Sequence, residues 1–364
     1  MKKTALIALG LALALLAGCG QQHDRAASGA SSSVAESAPV LAETADNAWS
    51  TDTPENHGMD GAVLQQLHTA LDQSEIYASV TVRDGYIVDE YYREGYGADS
   101  VFRLNSCSKS FTGALVGIAI EEGLIGGVDD QLATYFPQLA GTEKGQITIG
   151  QLLQHTSGLE WHEWNGDDSS FFELNAAENW VDYVLQKPLV ATPGSSFNYT
   201  TGGPHLLAAI LEQVTDDSLF HYARTHLFEP LGMSSVQWRA DPQNVLDGGN
   251  GIEMTARDAA RFGQLYLNGG SWQGRQLVPR TWVEESTRAQ VGPIGNSGSY
   301  GYLWWTRQFG AQGYDTYFAM GAMGQFIFVV PQLDLVAVMT SSPTQQDTYA
   351  PWPYFADYIL AACH

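Results

Sequence analysis

Strand-like segments lie at the two ends of this chain, and a long interval without them separates the two groups. The first group is a hairpin pattern at residues 77–95, in which apolar residues alternate around Asp84-Gly85, a dipeptide typical of two-residue turns. The second group follows residue 298 and is rich in aromatic and β-branched residues: SYGYLWWT, YDTYFAM, GQFIFVVP and DLVAVMTS. A tight turn at 331–334 is predicted between the last two. No comparable pattern occurs between residues 106 and 295.

Apolar residues at helical spacing predict a helix over 59–71 and a final amphipathic helix over about 349–362. The interval between the strand groups predicts helices broken by Gly and Pro, at 149–155, 178–186, 204–214, 218–227, 255–268 and 279–286. This order predicts an α+β fold: one antiparallel sheet built from N- and C-terminal segments, flanked by helices, with an inserted helical subdomain over about 106–295. A cleft is expected where the two parts meet.

The first twenty residues, MKKTALIALGLALALLAGCG, combine two Lys, an apolar run too short for a stable membrane span and an end of small residues. They predict a secretory signal, and LAGC at 16–19 resembles the bacterial lipoprotein signal. We therefore expect a signal peptide over 1–18, a lipidated Cys19 with a disordered tether over 19–48, and a folded domain over 49–364. Such a lipoprotein would be exported to the outer membrane, facing the periplasm. A plain secretory signal that happens to contain Cys19 is the alternative.

Acidic residues outnumber basic ones, 40 against 17, which gives a formal net charge of −23. This charge argues against nucleic acids and anionic membrane surfaces as partners, so the expected partner is a small-molecule substrate and the lipid is the expected membrane contact. Cys107 and Cys363 are too few for a disulfide framework; one bridge between them is possible, and we favour two free thiols. The nine His residues show no metal-ligand spacing, and neither a metal nor an organic cofactor is expected.

A Ser and a Lys three residues apart, Ser106 and Lys109, open an apolar helical pattern that closes at Gly123. Residues at this spacing share a helix face, so the Lys109 amine can reach the Ser106 hydroxyl. The free-Lys pKa of about 10.4 must be lowered by burial or a neighbouring cation before the amine can act as a base. The helix N-terminus would stabilise an oxyanion. A capping Ser and a solvated Lys would fit the same spacing.

Cys107 lies about 100° round the helix from Ser106 and is expected to point into the core.

Six segments carry a more specific pattern: SCSKS at 106–110, ITIGQLLQHTSGL at 147–159, PGSSFNYTTG at 193–202, GIEMTARDAARFGQLYLNGG at 251–270, YGYLWW at 300–305 and GAMGQFIFVVP at 321–331. In this order they resemble the β-lactamase and penicillin-binding-protein superfamily of serine hydrolases. The resemblance is to the class C-like group that includes family VIII esterases and 6-aminohexanoate-dimer hydrolases. It covers about residues 50–360 and implies a β-lactamase/DD-peptidase-like fold.

The resemblance also implies a role for each matching residue. Ser106 would be the nucleophile, Lys109 its base and Tyr199 a proton shuttle between nucleophile and leaving group. The backbone N–H groups of Ser106 and Gln325 would form the oxyanion hole. The implied enzyme is an esterase or amidase that cleaves carboxylic esters or linear amides through an acyl-enzyme on Ser106. His155 is interpreted as structural, because Lys109 and Tyr199 already supply the proton chemistry.

Two departures from the family pattern bear on the substrate. Tyr199-Thr200-Thr201 stands where class C β-lactamases have Tyr-x-Asn, and Ala322-Met323-Gly324 stands where they have Lys-Thr-Gly. The missing amide and cation argue against β-lactam and D-Ala-D-Ala substrates. D-Ala-D-Ala carboxypeptidase or β-lactamase activity remains an alternative, and a catalytically silent binding module is another.

Further residues are candidates for the substrate pocket. Trp161, Glu163 and Trp164 lie on a Gly- and Asp-rich loop typical of segments that shape a substrate site, although surface packing would explain them equally well. The family motifs add four more candidates: Thr201, Ala322, Met323 and Gly324.

Overall fold

The computed structural model describes residues 49–163, 168–215 and 218–364. The predicted signal peptide, Cys19, the tether and Trp164 lie outside these ranges. In chain order the strands are β1 (Ile76–Arg83), β2 (Tyr86–Tyr92), β3 (Val101–Arg103), β4 (Gln237–Trp238), β5 (Ile252–Thr255), β6 (Ser271–Trp272), β7 (Arg275–Gln276), β8 (Ser299–Tyr300), β9 (Trp305–Phe309), β10 (Tyr314–Gly321), β11 (Gln325–Val330) and β12 (Leu335–Ser341).

The helices are α1 (Gly61–Leu71), α2 (Ser108–Glu121), α3 (Leu132–Tyr135), α4 (Ile149–Leu153), α5 (Ser170–Ala176), α6 (Trp180–Gln186), α7 (Gly202–Val214), α8 (Leu219–Ala223), α9 (Ala256–Leu267), α10 (Arg280–Thr287) and α11 (Pro351–Tyr354). Helices α8 and α11 continue into π-helical turns, Arg224–Phe228 and Phe355–Ile359 respectively. The sequence pattern misses α3 and α5, which have four and seven residues.

The main sheet joins the two ends of the chain. Its strand order is β2-β1-β12-β11-β10-β9-β8, and neighbouring strands are antiparallel. The first strand pairs with the last, with Val80 opposite Val338. The N-terminal hairpin therefore completes a sheet whose other strands come from the C-terminal part, which confirms the predicted α+β architecture.

Both predicted turns of the main sheet occur. Asp84 and Gly85 connect β1 to β2 with φ angles of 53° and 80°, and Asp334 lies in the β11–β12 turn with φ 47°. Positive φ at both central residues matches the right-handed twist of a hairpin, and Asp-Gly adopts it at low cost.

The prediction that residues 106–295 contain no strands is wrong. Strand β5 lies in this interval and pairs with both β3 and β4, while β6 and β7 form a separate hairpin. The strands within the interval, β4 to β7, have two to four residues each, too few for alternation to be visible in the sequence. The β3–β5 pairing ties the helical interval to the segment that leads into α2.

Helix α2 is buried on all its sides. Its residues from Ser108 to Ala119 are buried without interruption, as expected for a helix whose apolar residues are not confined to one face. Phe111 stacks on Phe262 of α9, with ring centroids 3.7 Å apart. Helix α9 in turn lies against the sheet, where a Cβ added to Gly263 would come within 2.6 Å of Val336. Lys109, which belongs to α2, is therefore carried into the core.

The C-terminal helical segment covers the opposite face of the sheet. Phe355 stacks on Phe328 of β11 with ring centroids 4.0 Å apart.

Within the described ranges, no helix combines the length and the apolar character needed to cross a bilayer. Cys107 and Cys363 are free thiols, as favoured above. The buried Cys107 thiol donates to the Gln325 carbonyl at 3.4 Å, which confirms its expected direction.

Candidate active site

Ser106 lies in a 3₁₀ turn, Asn105–Cys107, that leads directly into α2. Asn105 has φ 48°, a left-handed conformation that Asn tolerates better than most residues. Its side-chain amide donates to the Ala322 carbonyl at 2.8 Å. The Ser108 hydroxyl donates to the Asn105 carbonyl at 2.7 Å and accepts from the Ile252 N–H at 2.9 Å. The turn is thus fixed to both the β10–β11 connection and β5.

Glycine at position 321 allows the sheet to approach this turn. A Cβ on Gly321 would lie 2.2 Å from the Leu104 carbonyl oxygen and 3.1 Å from the Ser106 nitrogen. Gly321 is paired with Gln325 at the start of β11. The Gln325 side chain donates to the Ser341 carbonyl at 3.2 Å and accepts from the Ser341 N–H at 3.2 Å. Any part that Gln325 plays at an oxyanion site must therefore come from its backbone.

The Lys109 amine contacts Ser106 as the spacing predicts. Its Nζ lies 2.9 Å from Ser106 Oγ, 3.1 Å from Thr201 Oγ1 and 2.8 Å from the Gly249 carbonyl oxygen, and the side chain is 1% exposed. Burial lowers the pKa of Lys109 to about 8, while the carboxylates of Glu163 and Asp247 act in the opposite direction. An amine with this pKa is partly neutral near neutral pH and can accept a proton.

Tyr199 lies beside the same two groups. The Lys109 Nζ is 4.9 Å from the centroid of its ring, and its hydroxyl interacts with the Ser106 side chain. Burial and the Glu163 carboxylate raise the pKa of Tyr199, so its hydroxyl keeps its proton. The pKa values of the two groups are thus shifted apart. Lys109 is suited to accept a proton, and Tyr199 is suited to donate one.

Aromatic rings hold Tyr199 in place. The Trp305 ring stacks on it at 5.9 Å and the His155 ring lies at 4.6 Å. His155 is fully buried, and its Nε2 is 3.0 Å from the Tyr300 hydroxyl. Burial and the nearby Lys109 lower the pKa of His155 well below its ordinary value. A buried, neutral imidazole packed under Tyr199 agrees with the structural interpretation of His155.

The predicted pocket residues Trp161, Glu163 and Thr201 lie in the packed interior beside Lys109. Their exposed fractions are 3%, 8% and 1%. The reason is packing, since a Cβ on Gly202 would come within 2.7 Å of the Trp161 ring. The Glu163 carboxylate accepts hydrogen bonds from the Trp161 indole N–H, the Thr201 hydroxyl and, at 2.9 Å, the Thr201 backbone N–H. Contact of these three side chains with the substrate stays a prediction, because the proposed nucleophile Ser106 is itself only 7% exposed.

The segment 322–324 does lie at the edge of the site. It connects β10 to β11, with φ angles of 64° at Met323 and 77° at Gly324. Met323 is 40% exposed, and Ala322 is joined through Asn105 to the Ser106 turn. The segment contains no cationic side chain.

Gly249 is a site residue that sequence reasoning missed. Its carbonyl contacts Lys109, and the buried Asp247 accepts from the N–H groups of Gly249 and Asn250 at 3.1 and 3.0 Å. The run Asp247-Gly248-Gly249-Asn250 is a turn signal. Nothing local in the sequence shows that this turn faces α2, because the contact spans 140 positions.

Comparisons with known proteins show which family this chain resembles. A family model described as beta-lactamase matches residues 62–357. The chain is 27% identical over 303 residues to the 6-aminohexanoate-dimer hydrolase of Paenarthrobacter ureafaciens, covering 78% of this chain and 77% of that protein.

Solved structures show the same fold. A structure designated a candidate 6-aminohexanoate-dimer hydrolase from Bacillus anthracis matches with a TM-score of 0.70 and 27% identity, covering 80% of each chain. EstCE1, described as a hydrolase with promiscuous acyltransferase activity, matches with a TM-score of 0.66 and 19% identity over 81% of this chain and 97% of its own. These matches confirm the expected fold, and the family model spans most of the chain, so this protein belongs to the beta-lactamase family of hydrolases.

Proposed function

We propose that this protein is a serine hydrolase that cleaves carboxylic esters or linear amides through an acyl-enzyme on Ser106. The observation that carries the proposal is the buried Lys109 amine, 2.9 Å from the Ser106 hydroxyl oxygen, with its pKa lowered to about 8. Burying an amine is costly, and a Lys that activates a nucleophile needs the lowered pKa that burial gives, whereas a catalytically silent binding module does not.

The proposed acylation step moves one proton at each stage. Ser106 Oγ attacks the substrate carbonyl carbon while its proton passes to the neutral Lys109 amine. The carbonyl oxygen becomes an oxyanion, which the backbone N–H groups of Ser106 and Gln325 stabilise. Tyr199 donates its hydroxyl proton to the leaving alcohol or amine and is reprotonated by the Lys109 ammonium. The Ser106 ester remains, and Lys109 is neutral again.

Water completes the cycle by the reverse transfers. A water molecule attacks the acyl carbon, its proton passes to the Lys109–Tyr199 pair, and Ser106 Oγ leaves with a proton returned to it. The products are a carboxylic acid and the free enzyme. The roles of acid and base are exchanged between the two half-reactions, as microscopic reversibility requires.

The site residues favour neutral esters and linear amides as substrates. Thr201 stands where class C β-lactamases have Asn, and its hydroxyl is hydrogen-bonded to Glu163. The 322–324 connection lacks the Lys that those enzymes have there. A β-lactam would therefore leave its side-chain amide and its carboxylate unpaired on binding. The similarity to a 6-aminohexanoate-dimer hydrolase supports an amide without a ring as a substrate class.

A substrate panel tests the proposal. It contains p-nitrophenyl esters of different acyl length, linear amides and a chromogenic cephalosporin, with Ser106→Ala as the control. We expect ester or linear-amide hydrolysis and an acyl adduct on Ser106 by intact-protein mass. Hydrolysis retained in Ser106→Ala would contradict the mechanism. A cephalosporin with the highest kcat/KM would favour the β-lactamase alternative.

A further inference from the structure

The Thr201 hydroxyl lies between a carboxylate and an amine. Its Oγ1 donates to Glu163 Oε1 and is 3.1 Å from the Lys109 Nζ. Three donors converge on the two Glu163 oxygens, namely the Trp161 indole N–H, the Thr201 backbone N–H and the Thr201 hydroxyl. This arrangement fits the ionised carboxylate, which only accepts. The single hydroxyl hydrogen of Thr201 is therefore used by Glu163, and Thr201 offers Lys109 an acceptor.

The second fixed neighbour of Lys109 is also an acceptor. The Gly249 carbonyl oxygen, 2.8 Å from Nζ, has no hydrogen to donate. A neutral amine has two N–H bonds and one lone pair. If both N–H bonds are directed at Thr201 and Gly249, the lone pair is left for the third neighbour, Ser106, at 2.9 Å. Ser106 is the one of the three that can donate a hydrogen to the amine.

We propose that Glu163 is a positioning residue that directs the lone pair of Lys109 at Ser106 by fixing the direction of the Thr201 hydroxyl. This role rests on the proposed function, because it matters only if Lys109 is the base for Ser106. It is more specific than the predicted role of Glu163 as a residue of the substrate pocket. Glu163 does not contact the reacting atoms; it acts through Thr201.

The change Glu163→Gln separates this role from packing. Glu163 Oε2 accepts both the Trp161 and the Thr201 N–H groups. The Gln carbonyl should take that position, so its NH₂ group faces Thr201 Oγ1. The Thr201 hydroxyl must then accept, and its own hydrogen is free to turn toward the Lys109 lone pair. The hydrogen bonds from the Trp161 indole N–H and the Thr201 backbone N–H are kept. The Thr201 hydroxyl, however, now donates toward Lys109 and competes with Ser106 for the lone pair.

The loss of the carboxylate has a second effect that can be measured independently. Burial lowers the pKa of Lys109, while the Glu163 and Asp247 carboxylates act to raise it, and the neutral His155 and Tyr199 lie nearby. Removing the Glu163 charge therefore lowers the pKa of Lys109. In Glu163→Gln the acylation rate should reach its plateau at a lower pH than in the wild type. The plateau rate itself should also be lower than that of the wild type. A merely loosened site would admit water and move the pKa of Lys109 the other way, toward its ordinary value.

The experiment measures pre-steady-state acylation by a p-nitrophenyl ester across the neutral and alkaline range. The variants are Glu163→Gln, Thr201→Val, the double variant and the conservative Thr201→Ser, with circular dichroism to check folding. We expect each of the first two to lower the plateau roughly tenfold to a hundredfold. The double variant should be no worse than the more severe single one, because both changes remove one interaction chain. Thr201→Ser keeps the hydroxyl, so it should recover most of the plateau that Thr201→Val loses.

Additive losses in the double variant, or a wild-type plateau in Glu163→Gln, would overturn the inference. If Glu163→Gln does not fold, Thr201→Val decides alone, and a wild-type plateau there overturns it. The proposed function has a separate criterion in the same experiment. If the wild-type enzyme forms no adduct on Ser106, the proposed function fails, whereas an adduct that forms equally fast in the variants removes only the role of Glu163.

Discussion

The rear and the front of the active site differ in how the protein holds them. At the rear, Lys109, Thr201 and Gly249 are buried and joined by hydrogen bonds of 2.8 to 3.1 Å. At the front, the 322–324 connection is exposed at Met323 and carries no charge. Under the proposed mechanism, we expect the rear to determine whether Ser106 reacts and the front to determine which substrate reaches it.

Replacement of Lys109 should have the largest effect. Arg keeps a positive charge but cannot lose its proton at a working pH, and Ala removes the amine altogether. We expect both variants to acylate about as slowly as Ser106→Ala, a loss of a factor of roughly 10² to 10⁴, because nucleophile and base act as one unit. Stopped-flow acylation with intact-mass detection measures it. Near wild-type acylation in Lys109→Arg would show that charge suffices at the rear of the site.

Gly321→Ala tests the junction between the two regions. Its Cβ would meet the Leu104 carbonyl at 2.2 Å and push β10 away from the Ser106 turn. We expect kcat/KM to fall about a hundredfold, since small displacements of reacting groups are costly. The free energy of unfolding should fall by about 1–3 kcal/mol. Gly97→Ala is the matched control, because no atom lies within 4 Å of its added Cβ.

Ala322→Lys tests the front alone. The change places a cation where class C β-lactamases have one. Residue 322 is also the one whose backbone carbonyl accepts from the Asn105 side-chain amide. We expect kcat/KM for a cephalosporin to rise about tenfold, the value of one charge-assisted contact, with little change for a neutral ester. An equal change for both substrates would show that the front and the rear are not separable.

Cys19→Ser should have the smallest effect on hydrolysis. We propose that Cys19 is lipidated, on the strength of LAGC at 16–19, and stable attachment requires two or more acyl chains. The variant should move from the membrane fraction to the soluble fraction with unchanged kcat/KM. A variant that remains with the membrane would contradict the lipid anchor while leaving the account of the active site intact.

The sequence predicts those parts of the protein that depend on local spacing. Alternation around Asp84-Gly85 and the aromatic and β-branched runs after residue 298 predict the main sheet, and the i, i+3 spacing predicts the contact between Ser106 and Lys109. The role of Glu163 could not be predicted in this way, because the Glu163–Thr201 contact joins positions 38 apart. The same applies to Gly249, whose carbonyl contacts Lys109 across 140 positions. Strands of two residues, such as β4, have too few positions to show a period.

The pH dependence of wild-type acylation tests the central claim, that buried Lys109 is the base for Ser106. Below its pKa Lys109 is an ammonium ion and cannot accept the proton, so the rate should fall about tenfold per pH unit on the acid side. The rate should rise with pH through about 8 and then level off. No descending limb should follow in the mildly alkaline range, because the pKa of Tyr199 is raised and its proton is retained. A rate that is independent of pH, or one that rises only near the ordinary pKa of Lys, would contradict the account.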